Sequence, residues 1–103
     1  DRKVLNGQVI YIDHYGNVIS NITHKVFKES FASSEFEIKL PRKYSIKAVD
    51  KSYSQVTEGE MLALFNSAGH LEIAINKGDS NAANGASGLL GIKIKDRISI
   101  EFL

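Results

Sequence analysis

Short runs in which every second residue is apolar recur along this sequence, and they constrain its fold more than any other feature. Leu71, Ile73 and Ile75 alternate with His70, Glu72 and Ala74. Phe36, Ile38 and Leu40 alternate with Glu35, Glu37 and Lys39, and Ile98, Ile100 and Phe102 with Arg97, Ser99 and Glu101. A period of two sends successive side chains to opposite faces of an extended strand, and in the run from Phe36 the charged set marks one face turned to water. Met61-Leu62-Ala63-Leu64-Phe65 is continuously apolar and joins the run from Leu71 through Asn66-Ser67-Ala68-Gly69, which makes a hairpin. Seven short strands with little helix are expected, closed into a small all-β barrel or sandwich.

The stretch from Tyr11 to Ile22 organises the first part of the chain. Two apolar runs flank Asp13-His14-Tyr15-Gly16-Asn17, which reads as strand, tight turn, strand. Gly16-Asn17 supplies the positive φ of a short reversal, and Asp13 and Asn17 then stand at one end of the sheet. Two readings are open: the pair forms a binding rim, or it only hydrogen-bonds the turn backbone. Val9, Tyr11 and Asp13 alternate with Gln8, Ile10 and Ile12, with apolar residues in both sets, which predicts an interior strand covered on both faces. Val18 to Ile22 forms the second strand. Thr23 then caps a helix from His24 to about Ala32, with Val26, Phe27 and Phe31 on its inner face.

Pro41 ends the strand of Phe36, and Tyr44, Ile46 and Ala48 suit a further strand. Asp50 to Gly59 reads as a loop around Tyr53 and Val56. Asn76 to Gly88 reads as a second loop, rich in Gly, Asn, Ser and Ala, tightening into a helical turn from Ser87 that Gly91 ends.

At 103 residues the chain forms one domain with one core. Thirteen Lys and Arg against 12 Asp and Glu give a formal charge of +1, so neither nucleic acid nor an anionic membrane is demanded. The absence of cysteine removes disulfides and thiolate metal sites, and a cytoplasmic location is the expectation. No apolar run approaches the roughly 20 residues of a membrane span. The start Asp1-Arg2-Lys3 lacks both a signal-peptide apolar region and an initiating Met, as expected of a domain cut from a longer protein or a processed product.

Most chemical motifs fail on inspection. His14, His24 and His70 share no short metal-ligand spacing and read as solvated surface histidines; no metal is expected. Ser67 and His70 are close in sequence, but no strand-to-helix nucleophile elbow surrounds Ser67. Gly78 to Gly85 resembles a calcium loop, yet Ala83 and Leu90 fill ligand positions. Asn21-Ile22-Thr23 matches a glycosylation acceptor, but capping explains Thr23 better.

Three blocks in order carry more information: Ile12 to Ile22, Glu58 to Asn76, and Leu90 to Ile98. An Asp, aromatic-Gly-Asn turn followed some way on by Asn66-Ser67-Ala68-Gly69-His70-Leu71-Glu72-Ile73-Ala74 resembles the C-terminal domain of the S-adenosylmethionine (SAM) hydroxide adenosyltransferases, relatives of fluorinating and chlorinating enzymes. The resemblance spans essentially the whole chain. It implies an all-β barrel-like domain, an α/β N-terminal domain lying outside this chain, and a homotrimer with sites between subunits. Water would replace methionine at the ribose carbon, yielding adenosine and L-methionine, with SAM as substrate and no cofactor. By the same resemblance, Asp13 would bind the methionine ammonium, with Ser67 and the Ala68 backbone near its carboxylate. Asn17 and the backbone of Ile75, Asn76 and Lys77 would read the adenine edge, with Ile19 and Tyr53 against its ring. The residues that activate water would belong to the N-terminal domain, so no catalytic residue is expected here.

Tyr15 replaces the usual phenylalanine, Ala68 stands where the halogenating relatives carry arginine, and the loop from Gly78 to Ser87 is longer than usual. Two rival classes make different predictions. A module for single-stranded nucleic acid would use Tyr11, Tyr15, Tyr44 and Tyr53, although the basic residues are dispersed among acids. A purely structural oligomerisation domain would share the fold and bind no ligand.

Overall fold

In the computed structural model, residues 3–30, 35–50, 59–76 and 85–103 are described. Seven strands form one antiparallel sheet in the order β4-β3-β7-β1-β2-β6-β5, which curls until the edges β4 and β5 face one another in a nearly closed barrel. The strands are β1 (Lys3–Ile12), β2 (Val18–Thr23), β3 (Phe36–Lys39), β4 (Ser45–Ile46), β5 (Met61–Phe65), β6 (His70–Ile75) and β7 (Arg97–Phe102). Two short helices accompany them, α1 (His24–Ser30) and α2 (Gly85–Leu90).

β1 is the longest strand and serves both halves of the barrel. Its residues 3–8 pair with β7, from Lys3↔Phe102 to Gln8↔Arg97. Beyond Gln8 it pairs with β2, at Val9↔Ser20, Tyr11↔Ile19 and Ile12↔Val18, with a bulge between Val9 and Tyr11. The transfer is fixed by Val9 N–H donating to the Asp96 carbonyl (2.9 Å) and Lys95 N–H donating to the Val9 carbonyl (2.8 Å). Gly7 sits at the parting of β1 from β2, where a Cβ would lie 2.5 Å from Ile22 Cγ1. No side chain fits there without moving the core.

Buried aliphatic residues from every strand fill the interior, among them Val9, Val18, Ile38, Leu71, Ile73 and Ile100. The ends are plugged differently. At one, Phe27 of α1 meets Phe36, Phe65 and Phe102 with ring centroids 5.3, 5.3 and 5.9 Å apart. At the other, Ala86 and Leu90 of α2 are buried. The α1 N-terminus is capped as expected, with Val26 N–H donating to Thr23 Oγ1 (3.2 Å). Gly91, at φ 69°, follows the last residue of α2.

Several expectations need correction. β1 lies inside the sheet order but is not covered on both faces: the bulge turns Ile10 and Tyr11 outward, and Tyr11 is 59% exposed. Val26 is 39% exposed, leaving Phe27 as the buried residue of α1. The strand expected from Tyr44 to Ala48 shrinks to Ser45–Ile46, and α2 begins two residues before Ser87. His70 is half-buried, its ring Nδ1 3.0 Å from the Ser20 carbonyl, rather than a solvated surface residue. Both faces of β6 are covered: Glu72 and Ala74 are buried along with Leu71 and Ile73, and Leu62, Leu64 and Ala74 form a second small apolar cluster. Phe31, Ala32, Tyr53, Val56 and most of the 76–88 loop lie outside the described residues. Among those described, no helix is long and apolar enough to cross a membrane.

The cap and the strand parting give separate stability tests. Thr23→Ala should cost about 1 kcal/mol in urea unfolding, and Thr23→Ser much less. Gly7→Ala should cost about 1–3 kcal/mol through overpacking against Ile22.

Candidate functional site

The β1–β2 connection is a five-residue turn held by its own side chains. Asp13 N–H donates to the Asn17 carbonyl (3.0 Å) and Gly16 N–H to the Asp13 carbonyl (2.9 Å), with Gly16 at φ 81°. Asp13 Oδ1 accepts the N–H groups of Tyr15 (2.9 Å) and Asn17 (3.0 Å), and Oδ2 accepts Asn17 Nδ2 (3.0 Å). Both side chains are half-buried. Asp13 therefore stabilises the turn, and a second turn shows what that role requires.

The β5–β6 connection repeats the same architecture. Asn66 N–H donates to the His70 carbonyl, Gly69 N–H donates to the Asn66 carbonyl, and Gly69 sits at φ 85°. Asn66 Oδ1 accepts the N–H groups of Ala68 and His70, both at 3.0 Å, as Asp13 Oδ1 does for Tyr15 and Asn17. One chain thus builds the same turn once on an amide and once on a carboxylate. Only the acceptor oxygen is needed, so the charge of Asp13 is surplus to the turn. An ionised carboxylate has about four acceptor positions, of which three are used here.

α2 locks the first turn in place. Ser87 N–H donates to the Gly16 carbonyl (2.8 Å), and Gly85, at φ 53°, lies so close beneath the turn that a Cβ would collide with the Tyr15 carbonyl oxygen. The outer end of β6 lies alongside. Asn76 uses its N–H on the Glu60 carbonyl (3.0 Å) and its carbonyl on Gly59 N–H (2.6 Å), both toward β5. Successive residues of a strand direct their backbone groups to opposite edges, so Ile75 presents its own toward the Asp13–Asn17 side. Ile19 is half-buried, in register with Tyr11 on one side and Glu72 on the other. A cleft of about 540 Å³ opens at the seam between β4 and β5 and is lined in part by Tyr44, Met61, Ile75 and Leu89.

The expected site residues thus fall into two groups. Asp13, Asn17, Ile75 and Asn76 gather at the α2 end, with Ile19 just inside it, whereas Ser67 and Ala68 are exposed on the turn at the α1 end. Val18 pairs with Ile73, six residues from Ser67, so the groups stand on the order of 20 Å apart at about 3.3 Å per residue. Tyr53 and Lys77 lie outside the described residues. Sequence reasoning passed over Glu72, a carboxylate only 8% exposed that accepts a hydrogen bond from Asn66 Nδ2 (3.2 Å). The continuous apolar run of β5 was the available signal, because a partner strand covered on both faces buries its polar positions too.

A family model for the SAM hydroxide adenosyltransferase C-terminal domain matches residues 7–99, the whole barrel except the outermost residues of β1 and β7. The chain belongs to this family. Two solved structures share its fold. An uncharacterized conserved protein from Thermotoga maritima is 36% identical, with a TM-score of 0.71 over 94% of this chain and 35% of its own. A conserved hypothetical protein from Thermus thermophilus is 26% identical, with a TM-score of 0.66 over 95% of this chain and 34% of its own. The SAM hydroxide adenosyltransferase domain therefore spans about a third of the length of these two proteins.

The repeated turn predicts how Asp13 variants of this domain behave. Asp13→Asn should lose no more than about 1 kcal/mol, the one side-chain hydrogen bond to Asn17, because its Oδ1 still accepts both backbone N–H groups. Asp13→Ala should lose about 1–3 kcal/mol by leaving part-buried donors unpaired. Urea unfolding of the three proteins measures both.

Proposed function

We propose that this domain contributes the substrate-binding half of a site that hydrolyses SAM to adenosine and L-methionine. The observation that carries the reading is the surplus charge of Asp13: the turn at Asn66 shows that an amide suffices for the fold. Its unused acceptor position suits the methionine ammonium. Asn17, with one Nδ2 hydrogen committed to Asp13 Oδ2, keeps a second N–H and an acceptor oxygen, the donor and acceptor pair that an adenine edge requires. Ile75 adds backbone groups from β6, and Ile19 an apolar surface for the ring. The roles expected of Tyr53 and Lys77 remain part of the proposal. In the reaction, the oxygen of water bonds to the ribose carbon, the carbon–sulfur bond breaks, and the water gives up a proton. None of the residues above is assigned that activation; it belongs to the N-terminal domain of a neighbouring subunit in a homotrimer. Ala68 offers no charged partner for a carboxylate, which favours water over halide chemistry.

The separation of the two turns adds a condition. Methionine carries its ammonium and carboxylate on one carbon, so Asp13 and Ser67 of a single chain, at opposite ends of β6, do not reach the same one. In this reading, Ser67 and Ala68 meet the carboxylate from a different copy than the one supplying Asp13.

In the full-length trimer, Asp13→Asn should weaken SAM binding by about ten- to a hundredfold, the loss of one charged hydrogen bond of about 1.5–3 kcal/mol, and leave adenosine binding nearly unchanged. Isothermal titration with both ligands measures this. Equal weakening of the two, or of neither, would remove Asp13 from the methionine end. This chain on its own should release no adenosine from SAM above an enzyme-free control, as followed by chromatography.

A further inference from the structure

Where β1 leaves β2, a side chain takes over the ladder. Gln8 N–H donates to Asn21 Oδ1 (2.9 Å) instead of a backbone carbonyl, and the strands part around Gly7. The opening is a groove of about 320 Å³ lined by Asn6, Gly7, Gln8, Asn21, Lys95 and Arg97. None of its lining residues belongs to the Ser67 turn or to the Asp13–Asn17 cluster.

The chemistry of this groove is one-sided. No carboxylate lines it, and two cations do. Because Asn21 Oδ1 is committed to Gln8, the Asn21 amide offers its NH2 group as donor. The acidic residues nearest in sequence are engaged elsewhere: Asp96 Oδ2 accepts Lys93 N–H (2.8 Å), and Glu101 pairs with Lys39 (3.4 Å). Among the described residues neither Lys95 nor Arg97 has an ion pair. Two unneutralised cations on one concave surface focus a positive potential that an anion relieves. Lys95 also stands at φ 78°, a conformation that glycine adopts more readily.

We propose that this groove binds a phosphate group, either free or as a monoester. Arg97 engages two phosphate oxygens through its guanidinium, Lys95 supplies the second charge, and the Asn21 amide donates a further hydrogen bond. A dianion matches two cations and neutral amides better than a monocarboxylate does. Both cations are solvent-exposed, so binding is expected in the millimolar range.

The test is a titration of the ¹⁵N-labelled chain at constant ionic strength with inorganic phosphate, glycerol phosphate and acetate, read by amide chemical shifts. Phosphate should give saturable shifts at the Asn21 side-chain amide and at the Lys95 and Arg97 backbones. Lys95→Gln and Arg97→Gln should each weaken it about tenfold, the size of one lost charged hydrogen bond. Lys39→Gln, on a lysine held by Glu101, should leave it unchanged. Tighter binding of glycerol phosphate identifies an esterified ligand, and equal or weaker binding identifies free phosphate. Non-saturating shifts, acetate binding as tightly as phosphate, or a Lys95→Gln/Arg97→Gln double variant that titrates like the parent would overturn the proposal.

Discussion

The division of β1 between two partners is the constraint on which the rest of the barrel depends. A strand that pairs with β7 over its first half and with β2 over its second joins the two halves of the sheet, and among the described strands no other pairs with members of both. The crossing point must satisfy backbone groups that would otherwise lose their ladder, since a buried unpaired amide or carbonyl costs about 1–3 kcal/mol. The exchange between Val9 and the Lys95–Asp96 turn does this on one side, and the Asn21 side chain does it on the other. Gly7 permits the close approach and the bulge after Val9 resets the twist. Everything beyond the bulge, including the orientation of the Asp13–Asn17 turn, follows from that reset.

Each barrel end ties its turn to a helix. At the α1 end, His24 N–H at the start of the helix donates to the Gly69 carbonyl (2.8 Å) of the Ser67 turn, whose tip is exposed. At the α2 end, the first turn of the helix is bonded directly to Gly16 and packed beneath Tyr15. Both turns are therefore fixed by a second element, the one with the surplus charge included, as a binding group needs if it is to meet a ligand without a large ordering cost.

Local pattern revealed much of this. The alternation in Leu71 to Ile75 and Ile98 to Phe102 fixed β6 and β7, the Gly-containing turns followed from their residues, and Thr23 marked the start of α1. What escaped was non-local. Lys3 to Gly7 has no clean alternation and contains Asn6 and Gly7, yet it is strand because β7 pairs with it along its length. Glu72 looks like a water-facing residue until β5 and β6 are seen to be covered on both faces. Asp13 and Asn17 were legible as a pair, since one short turn contains both. That Ser67 stands at the far end of β6 depends on the antiparallel order of β2, β6 and β5, which no local motif encodes.

The incomplete closure between β4 and β5 bears on how the molecule behaves at high concentration. An open sheet edge is a template on which a second chain can add a strand, the usual beginning of aggregation. Here one edge is only two residues long and follows Arg42 and Lys43, both in left-handed backbone conformations that cannot extend it. The other edge is already engaged at Ala63, whose carbonyl accepts Asp50 N–H (2.8 Å). The barrel is left unsealed, yet among the described residues neither edge offers an incoming strand the run of free backbone groups it would need.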